Sequence, residues 1–244
     1  MRRLFLACLL MAALPLYGAI AFDAGAGTFS ASGSTINLSL TIASGSNLYL
    51  LAFVGCDGGA TVTSVNWNTS EAMTLLSGPL IHNSGSNRNY VYYLKAPTTG
   101  THNVTVAMST SSTSVAVGAA SFSGVDQTTP NRTPCENTDS FSGDDLSCAA
   151  TSSSGDLVID WSAWRTNACT LTGSGASQTA NFTEIAGGPR GISTRKAGAA
   201  SSTTMTETIG TGCGGSRTGA LSAIALIPAA AAGRRRMIVN SGGM

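Results

Sequence analysis

Ile36-Asn37-Leu38-Ser39-Leu40-Thr41-Ile42 alternates apolar and polar residues without a break. Successive side chains of a pleated strand point to opposite faces, so this stretch offers one face to a core and the other to water. Leu48 to Val54 follows closely, apolar throughout, and ends at Gly55 and Asp57-Gly58-Gly59, the pattern of a central strand leaving through a turn. Working outward, Val62 to Trp67, Met73 to Leu76, Tyr90 to Leu94, Val104 to Met108 and Val115 to Phe122 read as short strands. Leu157 to Trp161, Ala180 to Ile185, Ile192 to Lys196, Thr204 to Ile209 and Ala220 to Ile227 continue the series. Gly118 and Ala119 imply that a neighbouring sheet comes close there. Outside the N-terminal leader no helical apolar stripe of useful length occurs.

These strands predict an all-β fold: an antiparallel two-sheet sandwich, jelly-roll or immunoglobulin-like Greek key, around one core. Ser123 to Asp145, with Pro130, Pro134, Asp144 and Asp145, reads as the long crossing loop between sheets. Internal repetition amounts to a loose echo of Val104-Thr105-Val106 against Val62-Thr63-Ser64, so residues 22–228 are expected to form one domain.

Arg2 and Arg3, the apolar run Leu4 to Leu16, and the small-x-small site Ala19-Ile20-Ala21 before Phe22 make residues 1–21 a secretory signal peptide. The run is shorter than the roughly 20 residues that span a bilayer, so no transmembrane segment is expected after cleavage. Cys8 follows too short an apolar region for a lipoprotein cysteine. At the other end, Ala229 to Ala232, Gly233 and Arg234-Arg235-Arg236 open a low-complexity basic tail, residues 229–244. Three arginines give weak, salt-sensitive contacts with anions, and the net charge of +1 provides no field for specific nucleic-acid binding.

Export permits disulfides. Of six cysteines, Cys56, Cys135, Cys148, Cys169 and Cys213 lie beyond the leader, an odd set that leaves at least one unpaired within the chain. Cys135 and Cys148 flank a polar loop, Glu136 to Ser147, and are the expected bridge, closing a loop for about 3 kcal/mol. Cys169 with Cys213 is the next pair. No Cys-x-x-Cys occurs and His82 and His102 lack ligand spacing, so no metal or other cofactor is expected. Asp139 with Asp144-Asp145 is the nearest approach to a calcium loop, but these residues match no calcium-binding repeat and read more simply as solvated turn acids.

Only 10% of residues are charged, far below the roughly 25% of an average domain. No Gly-x-Ser-x-Gly elbow precedes a helix. Asp160, Glu184 and Glu207 each fall in an expected strand and are the candidates for a glycosidase pair, although each reads more simply as a solvent-facing strand residue. In a regular pleat Asp160 faces away from Ile159 and Trp161. Aromatic planes can stack on sugar rings. Trp161 and Trp164, three apart at a strand end, place one of the two at a rim, and one of Tyr92 and Tyr93 faces outward. Trp164 and Tyr92 are thus the candidate glycan contacts.

Several stretches together resemble phage-encoded and environmental-metagenome β-sandwich surface proteins of undefined biochemistry: Ala19 to Asp23, Ser46 to Leu51, Val62 to Asn68, Gly100 to Val106, Phe122 to Pro130, Ser154 to Val158 and Ala223 to Pro228. The resemblance implies a virion-surface or cell-surface module such as a fibre, decoration or adhesion domain. It brings no catalytic residues. The expectation is an exported, non-catalytic structural or adhesive module at the cell surface or secreted, with surface glycans or neighbouring copies of itself as partners. The alternatives are a virion decoration or fibre protein and a carbohydrate-active hydrolase on a β-sandwich.

Overall fold

The computed structural model describes residues 18–112, 114–141, 145–165, 171–210 and 217–230. Nine strands make up the N-terminal half: β1 (Ala21–Ser30), β2 (Gly33–Ile42), β3 (Tyr49–Cys56), β4 (Val62–Trp67), β5 (Glu71–Ala72), β6 (Thr74–His82), β7 (Asn87–Lys95), β8 (Gly100–Ser112) and β9 (Val115–Ser123). They pair concentrically, β1 with β9, β2 with β8, β3 with β7 and β4 with β5, all antiparallel. A long hairpin rolled up on itself has this pairing, and the result is a jelly roll. Its inner sheet runs β1-β9-β3-β7-β6 and its outer sheet β2-β8-β4-β5.

The C-terminal half repeats the scheme with β10 (Cys135–Phe141), β11 (Asp145–Ser152), β12 (Leu157–Trp164), β13 (Leu171–Ser174), β14 (Thr179–Ala180), β15 (Arg190–Ile192), β16 (Thr194–Ala197), β17 (Ser201–Ile209) and β18 (Arg217–Leu226). β10 pairs with β18, β11 with β17 and β12 with β16. The inner sheet is β10-β18-β12-β16-β14, with β15 also on β12, and the outer sheet is β11-β17-β13. The antiparallel sandwich is therefore present, but twice over. Strand order repeats between the halves, whereas the echo of Val62–Ser64 in Val104–Val106 lies within the first half, because topology needs a pattern of apolar faces and not the same side chains.

The four sheets stack. One buried cluster joins the N-terminal outer and inner sheets through Leu38, Val65, Trp67, Val104, Leu50 and Val54. A second joins the two inner sheets through Phe53, Val91, Phe122, Trp161, Ile224 and Leu226. A third joins the C-terminal inner and outer sheets through Leu146, Val158, Trp164, Met205 and Leu221. Three cores thus replace the single one expected. Inner strands are covered on both faces, so β3 and β9 are almost continuously apolar and buried, whereas β2 alternates buried and exposed residues.

The middle core is closed by aromatics: Phe53 stacks on Trp161 at 5.5 Å, and Phe182 lies against both. A Cβ on Gly118 would collide with the Phe182 ring, so what comes close at that glycine is a side chain from the segment between β14 and β15 and not a strand of the neighbouring sheet. Hydrogen bonds hold the rim. Buried Asn89 donates from Nδ2 to the carbonyls of Ala163 and Ala220 at 3.3 and 3.0 Å, and Ser77 meets Glu136 and Ser222 at 2.7 Å each.

Cys135 and Cys148 form the expected disulfide, with Cα atoms 6.0 Å apart. The residues between them are not a plain loop. Those described belong to β10 and β11, which lie in different sheets, so the bridge clamps the C-terminal interlayer. Ser123 to Asp145 accordingly contains a strand as well as the crossing. Ala180 to Ile185 is mostly irregular, with Ile185 making only a bridge to Gly191. Cys56 is free and buried, and burial pushes its thiol up to about 12. Cys169, Cys213, Cys8, residues 1–17 of the leader and the tail from 231 lie outside the described residues. Among the described residues no helix is long and apolar enough to cross a membrane.

Candidate functional site

β12 is an inner strand, and its pleat sends Ile159, Trp161 and Ala163 to the middle core and Val158, Asp160 and Trp164 the other way. β17 faces it from the outer sheet with Thr203, Met205, Glu207 and Ile209 inward. Asp160 and Glu207 therefore meet inside the C-terminal interlayer, both at 0% exposure. The solvent-facing reading of these two acids is overturned: each faces inward between two sheets.

A small polar network surrounds them. The Thr194 backbone N–H donates to Asp160 Oδ1 at 2.6 Å, and the Thr194 hydroxyl lies 3.0 Å from that oxygen and 3.1 Å from Glu207 Oε1. Gln178 Nε2 sits 2.7 Å from Thr194 Oγ1, 3.0 Å from Glu207 Oε1 and 3.4 Å from Asp160 Oδ2. Ser174 donates to Glu207 Oε2 at 2.6 Å. The turn that follows β13 carries Gln178 into this position, its N–H bonded to the Gly175 carbonyl at 3.0 Å. The Thr206 N–H holds the amide oxygen of Gln178 at 2.8 Å.

Burial raises Asp160 well above the usual carboxylate range, and the neighbouring Glu207 charge adds to the rise. Burial also raises Glu207, while hydrogen bonds from Ser174, Asp160, Thr194 and Gln178 pull it back. Burial thus favours the protonated form of Asp160, the more strongly shifted of the two. The two carboxyls are hydrogen-bonding neighbours, and Thr194 and Gln178 lie against both of them.

Glycosidase carboxyls stand about 5–10 Å apart across a cleft wide enough for a sugar. This pair is fully buried between two sheets, with the one Thr194 hydroxyl within 3.1 Å of both acids. Two surface hollows, one beside Ile20, Asp156 and Ala197 and one around Asn131, Arg132 and Thr151, contain neither acid. Glu184 is held elsewhere, by Arg190 at 3.1 Å and the Leu171 N–H at 3.3 Å.

The aromatic candidates are corrected too. Trp164 is 0% and Tyr92 8% exposed, the first in the C-terminal interlayer and the second in the N-terminal one. Trp161 is equally buried. The rim expected at the end of β12 does not exist because a sheet lies on each side of it. Of the calcium candidates, Asp144 lies outside the described residues; among those described, no group of three His, Cys, Asp or Glu side chains gathers for a metal.

Thr194, Gln178 and Ser174 escape sequence reading altogether, since single polar residues in a Ser/Thr-rich chain carry no distinguishing pattern. Comparison with protein-family models, curated proteins and solved structures finds no match.

Proposed function

We propose that this chain is an exported surface module, structural or adhesive, that turns over no external substrate. The observation that carries the reading is the complete burial of its paired acids, Asp160 and Glu207. Groups with the right protonation for acid–base work are sealed between sheets, where no substrate reaches them. The leader-like N-terminus and the Cys135–Cys148 bridge support export. A charge-poor surface favours partners met by shape and hydrogen bonding, surface glycans or further copies of the chain. For the second, β6 is an edge strand of its sheet and carries the exposed apolar side chains Leu75 and Ile81, at 44% and 51% exposure.

The test is a glycan array and a polysaccharide-hydrolysis panel on the folded wild-type chain, with light scattering to follow self-association. Binding or association without products supports the module. Hydrolysis abolished by Glu207→Gln overturns it in favour of the carbohydrate-active reading.

A virion decoration or fibre protein is the second reading, favoured by the doubled jelly roll, a topology common in capsids. Neighbouring genes for capsid or tail proteins would select it.

A further inference from the structure

The buried network assembles a nucleophile, an amide and two acids. We infer that Thr194 and Gln178 join in an intramolecular ester bond that the folded chain makes by itself, with loss of ammonia. The inference goes beyond the surface-module reading, and glycan binding can succeed or fail without touching it.

Each participant of an acyl transfer has a counterpart here. The nucleophile is the Thr194 hydroxyl, 2.7 Å from the Gln178 nitrogen and so beside the amide carbon one covalent bond further on. The base is Glu207, whose Oε1 lies 3.1 Å from that hydroxyl. The amide oxygen already accepts the Thr206 N–H at 2.8 Å, a backbone donor placed where negative charge develops. The leaving nitrogen faces Asp160 Oδ2 at 3.4 Å.

The step balances without any outside reagent. A small rotation of the amide turns its carbon toward Thr194. Glu207 takes the hydroxyl proton as Thr194 Oγ1 bonds to Gln178 Cδ. Asp160 gives its proton to Nε2 as the C–N bond breaks, and ammonia departs. Glu207 is left protonated and Asp160 charged, and the proton passes back across their mutual hydrogen bond. The products are an ester between the turn after β13 and β16, and one ammonia. Nothing is oxidised or reduced. Thr194, Asp160 and Glu207 are buried and Gln178 is half-buried over them, which limits the access of water to the ester. An ordinary plug for the carboxyl pair would make the same hydrogen bonds without the covalent link, and the two roles differ by the mass of one ammonia.

Intact mass spectrometry of the folded wild-type chain decides. The expected mass is about 17 Da, one ammonia, below that of Thr194→Val purified in parallel and corrected for the substitution. Trypsin after reduction and alkylation should yield peptides 166–190 and 191–195 as one linked species that hydroxylamine separates. Asp160→Asn and Glu207→Gln, where folded, should lose the link. A folded wild-type chain with its full mass and two separate peptides overturns the inference. So does a loss of ammonia located anywhere but between these two peptides. Because the wild-type measurement suffices, a variant that fails to fold leaves the question answerable.

Discussion

The two outer interlayers of this molecule occupy equivalent places in repeated jelly rolls and both have apolar cores, but the C-terminal one also encloses a pair of acids. In the N-terminal half Leu50, Ala52 and Val54 of β3 meet Val104, Val106 and Met108 of β8. In the C-terminal half the matching strands β12 and β17 bring Asp160 and Glu207 face to face, with Thr194 and Gln178 between them. Equivalent topology thus tolerates either filling, with the buried carboxyls held by hydrogen bonds from Thr194, Gln178 and Ser174. The apolar interlayer gains from area buried. The polar one gains little net stability from its acids and holds a fixed arrangement of reactive groups.

The most disruptive way to break this contrast is to move an acid to the other side. Val106→Asp places a carboxyl among aliphatic side chains with no donor, and should cost about 4–5 kcal/mol, enough to prevent folding or to move the urea midpoint drastically. A loss below about 1 kcal/mol would show that the N-terminal interlayer admits water.

Whether the halves act as one body is read from the middle core. Phe53→Ala removes the partner of Trp161 and should cost about 3–4 kcal/mol. Hydrogen exchange should rise in β12 and β18 as well as in β3; a rise confined to residues before Ser123 would mean that the halves unfold separately.

The disulfide belongs to the C-terminal half alone. The Cys135→Ser, Cys148→Ser double variant should lose about 3 kcal/mol, measured by denaturant unfolding under oxidising conditions. The first protection lost should be that of β10 and β11.

The smallest effect concerns pH and separates a titratable interlayer from an inert one. Asp160 and Glu207 both have folded values raised above the unfolded ones. Their contribution is complete below the unfolded carboxylate range, near about pH 4, and is lost as pH rises toward the folded values, because the unfolded chain releases its protons first. Stability should therefore fall from pH 5 to pH 8, and Asp160→Asn should flatten that slope. An unchanged slope would assign the dependence to other groups.

Much of the strand inventory was legible because pleating is local. The alternation of Ile36 to Ile42 and the solid run of Leu48 to Val54 announced β2 and β3 correctly, and the second also announced coverage on both faces. Cys135 and Cys148 were legible from their short separation. The aromatic site was misread for one reason: Trp164 and Tyr92 look like rim residues only if nothing covers the strand end, and the fourth sheet is invisible until β11, β17 and β13 are assembled. The doubling was hidden for a related reason, since the two halves share strand order without sharing side chains.

The residues alone determined that Asp160 faces away from Ile159 and Trp161, because the period of a strand is two wherever it lies. They could not determine what awaited it there. Glu207 comes from another sheet, and Gln178 arrives on a turn. Only the stacking of the inner and outer sheets decided that these groups meet Thr194 between two sheets, since contacts between distant strands depend on how whole faces pack and not on any local run of residues.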